Sequence, residues 1–170
     1  MVQRKLVIVS ASFKRRRLPN EPIPALERFD GVSFRVLRKY LREGKLKNTD
    51  VAIVSLEHGI LLSNDAILYD KPTLSRGTKG SGTWQSDPGF DNEQTEKLRY
   101  GNLSQLRSII DRGKYAEIYV NLGRKFMTLV DGFEKMTDSP VVYATGKGMG
   151  PKAQHMKNWI LAHEQRTKQG

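Results

Sequence analysis

Four short apolar runs divide the chain at intervals that suit strands. Leu6-Val7-Ile8-Val9 is continuous and ends in the small polar residues Ser10-Ala11-Ser12. Val51-Ala52-Ile53-Val54 repeats the pattern before Ser55, Tyr115 to Val120 supplies a third run, and Pro140 to Ala144 a fourth. Unbroken apolar runs of this length fit strands covered on both faces of a parallel sheet. Helical spacing fills the gaps between them. Val32, Phe34, Val36, Leu37, Tyr40 and Leu41 form a stripe that starts after Gly31 and stops at Gly44, a helix ended by a glycine. Leu98, Leu103, Leu106, Ile109 and Ile110 predict a helix over about 93 to 112, with Gly101-Asn102 as a point of interruption. A helix from Asn121-Leu122-Gly123 to about Lys135 follows. A C-terminal helix, with Pro151 in its first turn and Met156, Trp159 and Ile160 facing inward, completes the set.

Strands alternating with helices make an α/β domain with a central, mostly parallel sheet of at least four strands. At 170 residues the chain is read as one domain, 1–170. Residues 71 to 92 are rich in Gly, Ser, Thr, Asp and Pro and carry only Leu74, Trp84 and Phe90 as large apolar groups. A loop of that length implies a purpose. In open α/β sheets ligands sit beyond the carboxyl ends of the strands, where neighbouring connections diverge. Four such ends are expected to share one face: Ser10 to Arg15, Ser55 to Asp70, Asn121 to Arg124 and Thr145 to Gly150.

Composition narrows the partners. There is no Cys and there are three His without paired ligand spacing, so neither a metal nor a cofactor is expected. No apolar run approaches the ~20 residues that span a bilayer, and a cytoplasmic protein without a membrane role or an obligate protein partner is the plain expectation. Lys and Arg number 29 against 18 acids, a formal net charge of +11. That excess is the electrostatic footprint of a nucleic-acid binder, whose cations release condensed counterions from phosphates. Generic surface basicity is the alternative, and the clustering at Arg4-Lys5, Lys14 to Arg17, Arg35 to Lys47 and Lys147 to Lys157 argues against it.

Ser55-Leu56-Glu57-His58-Gly59-Ile60-Leu61 with Tyr69-Asp70 is the densest set of reactive side chains. His58 there can bond a base edge or position a water, or it can simply fix its loop. Asp70 can activate water or stabilise a sugar cation, or with Pro72 it can open an Asx-type turn. Lys14, Arg15, Arg16 and Arg17 are candidate phosphate contacts, with a solvated charge run as the alternative. Trp84 and Phe90 suit stacking on bases or wedging into a duplex, or anchoring of the loop. Gly146-Lys147-Gly148-Met149-Gly150 lies between a strand and a helix, so it is either a phosphate cradle or a plain turn. It lacks the ending of a nucleotide-binding Walker loop.

Ser10-Ala11-Ser12-Phe13-Lys14-Arg15 resembles a Cys-Ser-x-x-Lys motif, Ser55 to Leu61 resembles Ser-Ala-Lys-His-Gly-Leu-Leu, and Tyr69-Asp70 resembles a following Pro-Tyr-Asp. With the Gly-rich turn leading to Lys157-Asn158-Trp159, these are similar to a family of uncharacterised bacterial, archaeal and phage domains labelled YaaA-like. A related arrangement occurs in an accessory domain of archaeosine synthases. The resemblance spans most of the chain. It implies a three-layer α/β sandwich of uracil-DNA-glycosylase-like fold, with a nucleobase-sized pocket and a connection with modified bases. The chain departs from the pattern at Ala11, where the family has Cys, at Arg15 in place of Lys, at Leu68 in place of Pro, and in the expanded loop.

Together these readings predict an enzyme similar to a DNA glycosylase that flips out and excises a modified nucleobase, with double-stranded DNA as its partner. Asp70, His58 and Asn121 are the expected catalytic residues. Ser10, Ser12, Glu57, Gly59, Tyr69 and Gly123 are expected to line the substrate, with Lys14, Arg15, Arg16, Arg17, Trp84, Phe90, Arg124, Lys147 and Lys152 on nucleic acid. The alternatives are an N-glycosidase or transferase acting on free nucleosides or nucleotides, and a non-catalytic nucleic-acid-binding module.

Overall fold

The first apolar run becomes the middle strand of the sheet. In the computed structural model, which describes residues 2–70, 75–76, 84–85 and 92–168 (side chains of 75, 76, 84, 85, 92 and 165–168 excepted), β1 spans Lys5–Ser10. Next come the short β2, Ile23–Pro24, then α1, Ala25–Arg28, and α2, Val32–Arg42. They are followed by β3, Thr49–Ser55, β4, Gly59–Leu62, and β5, Ala66–Ile67. The pairs β6, Ser75–Arg76, and β7, Trp84–Gln85, precede α3, Asn92–Gly113. The last elements are β8, Glu117–Asn121, α4, Arg124–Thr128, a 3-10 turn at Phe133–Met136, β9, Val141–Tyr143, and α5, Met149–Lys168.

The main sheet runs in the order β4-β3-β1-β8-β9. Four strands are parallel and β4 returns antiparallel to β3. Alternation along the strands splits the core into two layers. Val7, Val9, Val51, Ile53 and Tyr119 meet α1, α2 and α5, whereas Leu6, Ile8, Ala52, Val54, Ile118 and Val120 meet α3 and the segment Leu129–Phe133. A sheet with helices on both faces is the expected three-layer α/β arrangement, with one more strand than the minimum of four. No helix among the described residues is long and apolar enough to cross a membrane.

Two helix expectations need correction. The helix expected from 121 to 135 is two pieces: α4 ends at Thr128, and Gly132, at φ 89°, turns the chain into the 3-10 segment. After the break Leu129, Val130 and Phe133 all enter the core. Conversely, α3 passes through Gly101-Asn102 without interruption. Asn102 is 3% exposed and its Nδ2 donates to the Leu129 carbonyl at 3.1 Å, so the buried amide has a partner. The two-strand ladder β6–β7 is described for its backbone only. Leu74 and Phe90 lie outside the described residues, and so does the Trp84 side chain.

The loop between β1 and α2 is held by two arginines facing inward, Arg28 and Arg38. Arg38, 5% exposed, donates to the carbonyls of Leu26 and Phe29 and to Asp30 at 2.8 Å. Burial alone would raise the Asp30 carboxyl, but hydrogen bonds and charge from Arg35 and Arg38 outweigh it and hold the group below the usual carboxylate range. A depressed carboxyl contributes stability above its unfolded-state value and loses it as pH falls through the lower folded one. Asp30→Asn is therefore expected to cost about 2 kcal/mol at neutral pH. The gap to wild type should shrink below about pH 4, the ordinary carboxylate value. Urea unfolding at pH 7 and pH 3 reads both.

Candidate functional site

Strand order fixes where a crevice opens. The chain leaves the carboxyl end of β1 toward the layer of α1 and α2, and leaves β8 toward the opposite layer through α4. Adjacent strands whose exits diverge leave a gap between them, here at Ser10 on β1 and Asn121 on β8. The residues at this gap are polar and tied together. The Gly123 N–H donates to Ser10 Oγ at 2.9 Å, and Asn121 Nδ2 donates to Ser33 Oγ, in the first turn of α2, at 3.2 Å. Gly31 lets that helix approach, since a Cβ there would stand 2.8 Å from the Ser12 Cβ. Ser12 Oγ in turn donates to the Lys14 carbonyl and accepts the Asp30 N–H.

The second half of the site is the hairpin from β3 to β4. Ser55 pairs with Gly59 across three intervening residues, Leu56, Glu57 and His58. Gly59 adopts φ +70°, the left-handed conformation that closes a three-residue hairpin and that favours glycine. The Ser55 hydroxyl lies under the turn, accepting the N–H groups of Glu57 and His58 and donating to Glu57 Oε2 at 2.9 Å. Gln105 on α3 clamps the outgoing strand by accepting the Ile60 N–H at 2.9 Å.

Glu57 and Asp70 have different surroundings. Glu57 Oε1 receives Arg15 Nη2 at 2.9 Å, with the two side chains 15% and 5% exposed. Arg15 also donates to the carbonyls of Ser12 and Asp70 and stacks over Phe29. Glu57 is thus part of an internal tie, whereas the Asp70 carboxylate is 43% exposed. Asp70 Oδ2 lies 2.6 Å from His58 Nε2, a close contact that is not aligned as a hydrogen bond. His58 and Asp70 are therefore brought together, and Arg15 fixes the Asp70 backbone from beneath. Asn121 stands on the far side of β1 from Ser55. Two strand spacings put it about 10 Å away, so it is across the edge from the pair rather than in contact with it.

Several expected roles are redistributed. Arg15 faces inward and is occupied by Glu57, Ser12 and Asp70, which corrects its expected role on a phosphate. Arg16 pairs with Glu27 and Lys14 lies 3.8 Å from Asp30, while Arg17 lies over the Tyr69 ring. Arg17, Arg124 and Lys147 are exposed and have no carboxylate partner among the described residues. Lys152 Nζ reaches the Leu122 carbonyl at 3.4 Å, which brings the Gly146–Gly150 turn beside the β8 exit. Gly59 serves the hairpin rather than a ligand. Sequence reasoning missed Ser33, whose place at the start of a helix on this edge was a usable signal. It also missed Lys125, in the first turn of α4, whose ammonium is buried with no hydrogen-bond partner among the described residues.

This difference between the two carboxylates is testable by unfolding. Glu57→Gln leaves the buried Arg15 guanidinium uncompensated and is expected to cost about 3 kcal/mol. Asp70→Asn alters an exposed pair and should stay within about 1 kcal/mol of wild type. Equal losses in urea titration would contradict the division of roles.

No family model matches the chain, and no curated protein matches it. Among solved structures the chain is similar to one described as AF0587, a protein of unknown function. The match has 14% sequence identity and a TM-score of 0.49, and covers 93% of this chain and 44% of that one. The chain thus spans less than half the length of that structure, and the likeness bears on neither family nor function.

Proposed function

We propose that the protein acts on nucleic acid as an N-glycosidic bond hydrolase, extruding a modified nucleobase and cleaving it from its sugar. The observation that carries this reading is the His58–Asp70 pair, a solvent-facing carboxylate against an imidazole at the carboxyl edge of the sheet. Departure of a base leaves positive charge on the sugar, and a fixed carboxylate stabilises that charge and orients the attacking water. His58 sits beside the carboxylate to support the leaving base. Asn121, about 10 Å across the edge by strand spacing, is placed to read one rim of a base, with Ser33 holding its amide. The resemblance to YaaA-like domains and to a uracil-DNA-glycosylase-like fold points the same way.

Charge favours a polymer over a free nucleoside. A net charge of +11 has no use on a small neutral substrate, and it lowers the free energy of a phosphate chain. Arg17, Arg124 and Lys147 are exposed cations of this edge without a carboxylate partner among the described residues, and they supply that contact in place of Arg15. A base must leave the stack before a carboxylate reaches its glycosidic bond, at a cost of a few kcal/mol.

The test incubates the protein with duplex DNA carrying hypermodified bases, with unmodified duplex, and with free modified nucleosides, and measures abasic sites and released base. Release is expected from modified duplex. Asp70→Asn should slow it by about a hundredfold or more while salt-sensitive DNA binding persists. Binding without release from any substrate would point to a non-catalytic module, and release from nucleosides alone to a small-molecule hydrolase.

A further inference from the structure

The amino edge of the sheet, opposite the carboxyl edge, holds a separate cavity of about 360 Å³. It opens between the end of α3, the start of β3 and the turn that follows β4. Val51 and Ile109 are buried there, and with Leu62 they make an aliphatic wall. α3 stops at Gly113, where a Cβ would collide with the Tyr115 ring. That glycine lets the ring, 6% exposed, fold back beside the cavity.

Its charged groups are paired in an unequal way. Asp50 Oδ2 receives Arg4 Nη2 at 2.5 Å and the Tyr115 hydroxyl at 2.6 Å. Burial and the bond to Asp50 push the Tyr115 hydroxyl up, so it stays a donor. Two donors on one oxygen fix the carboxylate and leave Oδ1 without a hydrogen bond among the described residues. Arg112, in the last turn of α3, uses only Nε, on the Ser108 carbonyl at 3.2 Å. Its two Nη groups have no hydrogen-bond partner among the described residues, although its charge reaches Tyr115.

The lining holds two cations, Arg4 and Arg112, and two carboxylates, Asp50 and Asp65. Asp65 Oδ2 accepts the Leu62 N–H at 2.7 Å and so closes its own turn. A balanced lining does not suit a polyanion such as a mononucleotide, whose charge would face both carboxylates. It suits a molecule that is itself neutral and carries one charge of each sign. We propose that this cavity binds a small zwitterion, an α-amino acid with an aliphatic side chain. The ligand's ammonium donates to Asp50 Oδ1. Its carboxylate takes the two Nη groups of Arg112 in the bidentate manner that a guanidinium favours. Its side chain lies on Val51, Leu62 and Ile109. Arg4 and Tyr115 already hold Asp50 in place, so binding does not have to order that carboxylate. The volume is at the small end of the ~300–1,000 Å³ usual for ligand sites, which fits an amino acid. This site is independent of the reading of the carboxyl edge.

The experiment titrates the ¹⁵N-labelled protein with L-leucine, with L-leucinamide, which lacks the carboxylate, and with N-acetyl-L-leucine, which lacks the ammonium. L-leucine is expected to shift the amides of Asp50, Val51, Leu62 to Asp65 and Arg112 to Tyr115, saturating with a Kd of about 1 mM or tighter. Each derivative should bind about tenfold more weakly or worse. Arg112→Gln, at an exposed position, should weaken L-leucine by about tenfold, with thermal unfolding as in wild type. Shifts that do not saturate, or that fall elsewhere in the protein, overturn the site. So do equal affinities for the three compounds, or an unchanged affinity in Arg112→Gln.

Discussion

The carboxyl edge of this sheet depends on one buried ion pair. Arg15 and Glu57 come from loops after different strands, 42 residues apart, and meet with little solvent between them. Two charges taken out of water need good geometry and further hydrogen bonds to be tolerable, and both have them. Ser55 completes Glu57, while the Ser12 and Asp70 carbonyls complete Arg15. The pair thereby links the exit of β1, the β3–β4 hairpin and the backbone of Asp70. Asp70 can remain exposed because its position is set by groups that are not.

A second inward-facing arginine extends the same principle. Arg28 fixes the loop after β1 through backbone carbonyls, with no carboxylate partner among the described residues. Arg38 braces the approach to α2 with the Leu26 and Phe29 carbonyls and the Asp30 carboxylate together. Arg15 of the basic tract is therefore internal bracing, whereas Lys14, Arg16 and Arg17 beside it are exposed. Arg17, Arg124 and Lys147 are the exposed cations at this edge without a carboxylate partner among the described residues.

The layers of the fold were legible because they follow from periodicity. Leu6 to Val9 and Val51 to Val54 are buried on alternate faces, and the stripe from Val32 to Leu41 gave α2 nearly to its ends. The hairpin at Gly59 does not show in the periodicity, although a Gly four residues past Ser55 is a hairpin signal. The roles of Arg15 and Arg28 could not be read at all, since a guanidinium in a run of basic residues gives no sign of which way it faces. His58 and Asp70 were named from the sequence and do come together, whereas Asn121 was grouped with them and stands on the other side of β1.

The central claim is that nucleic acid engages this carboxyl edge. The measurement closest to it follows backbone amide shifts of the ¹⁵N-labelled protein as a short duplex containing a stable abasic analogue is added. The account predicts perturbations concentrated at Ser10 to Arg17, Ser55 to Asp70 and Asn121 to Lys125, with saturation that weakens as salt is raised. Perturbations confined to the amino edge of the sheet, around Arg4, Asp50 and Tyr115, or none at all, would contradict it.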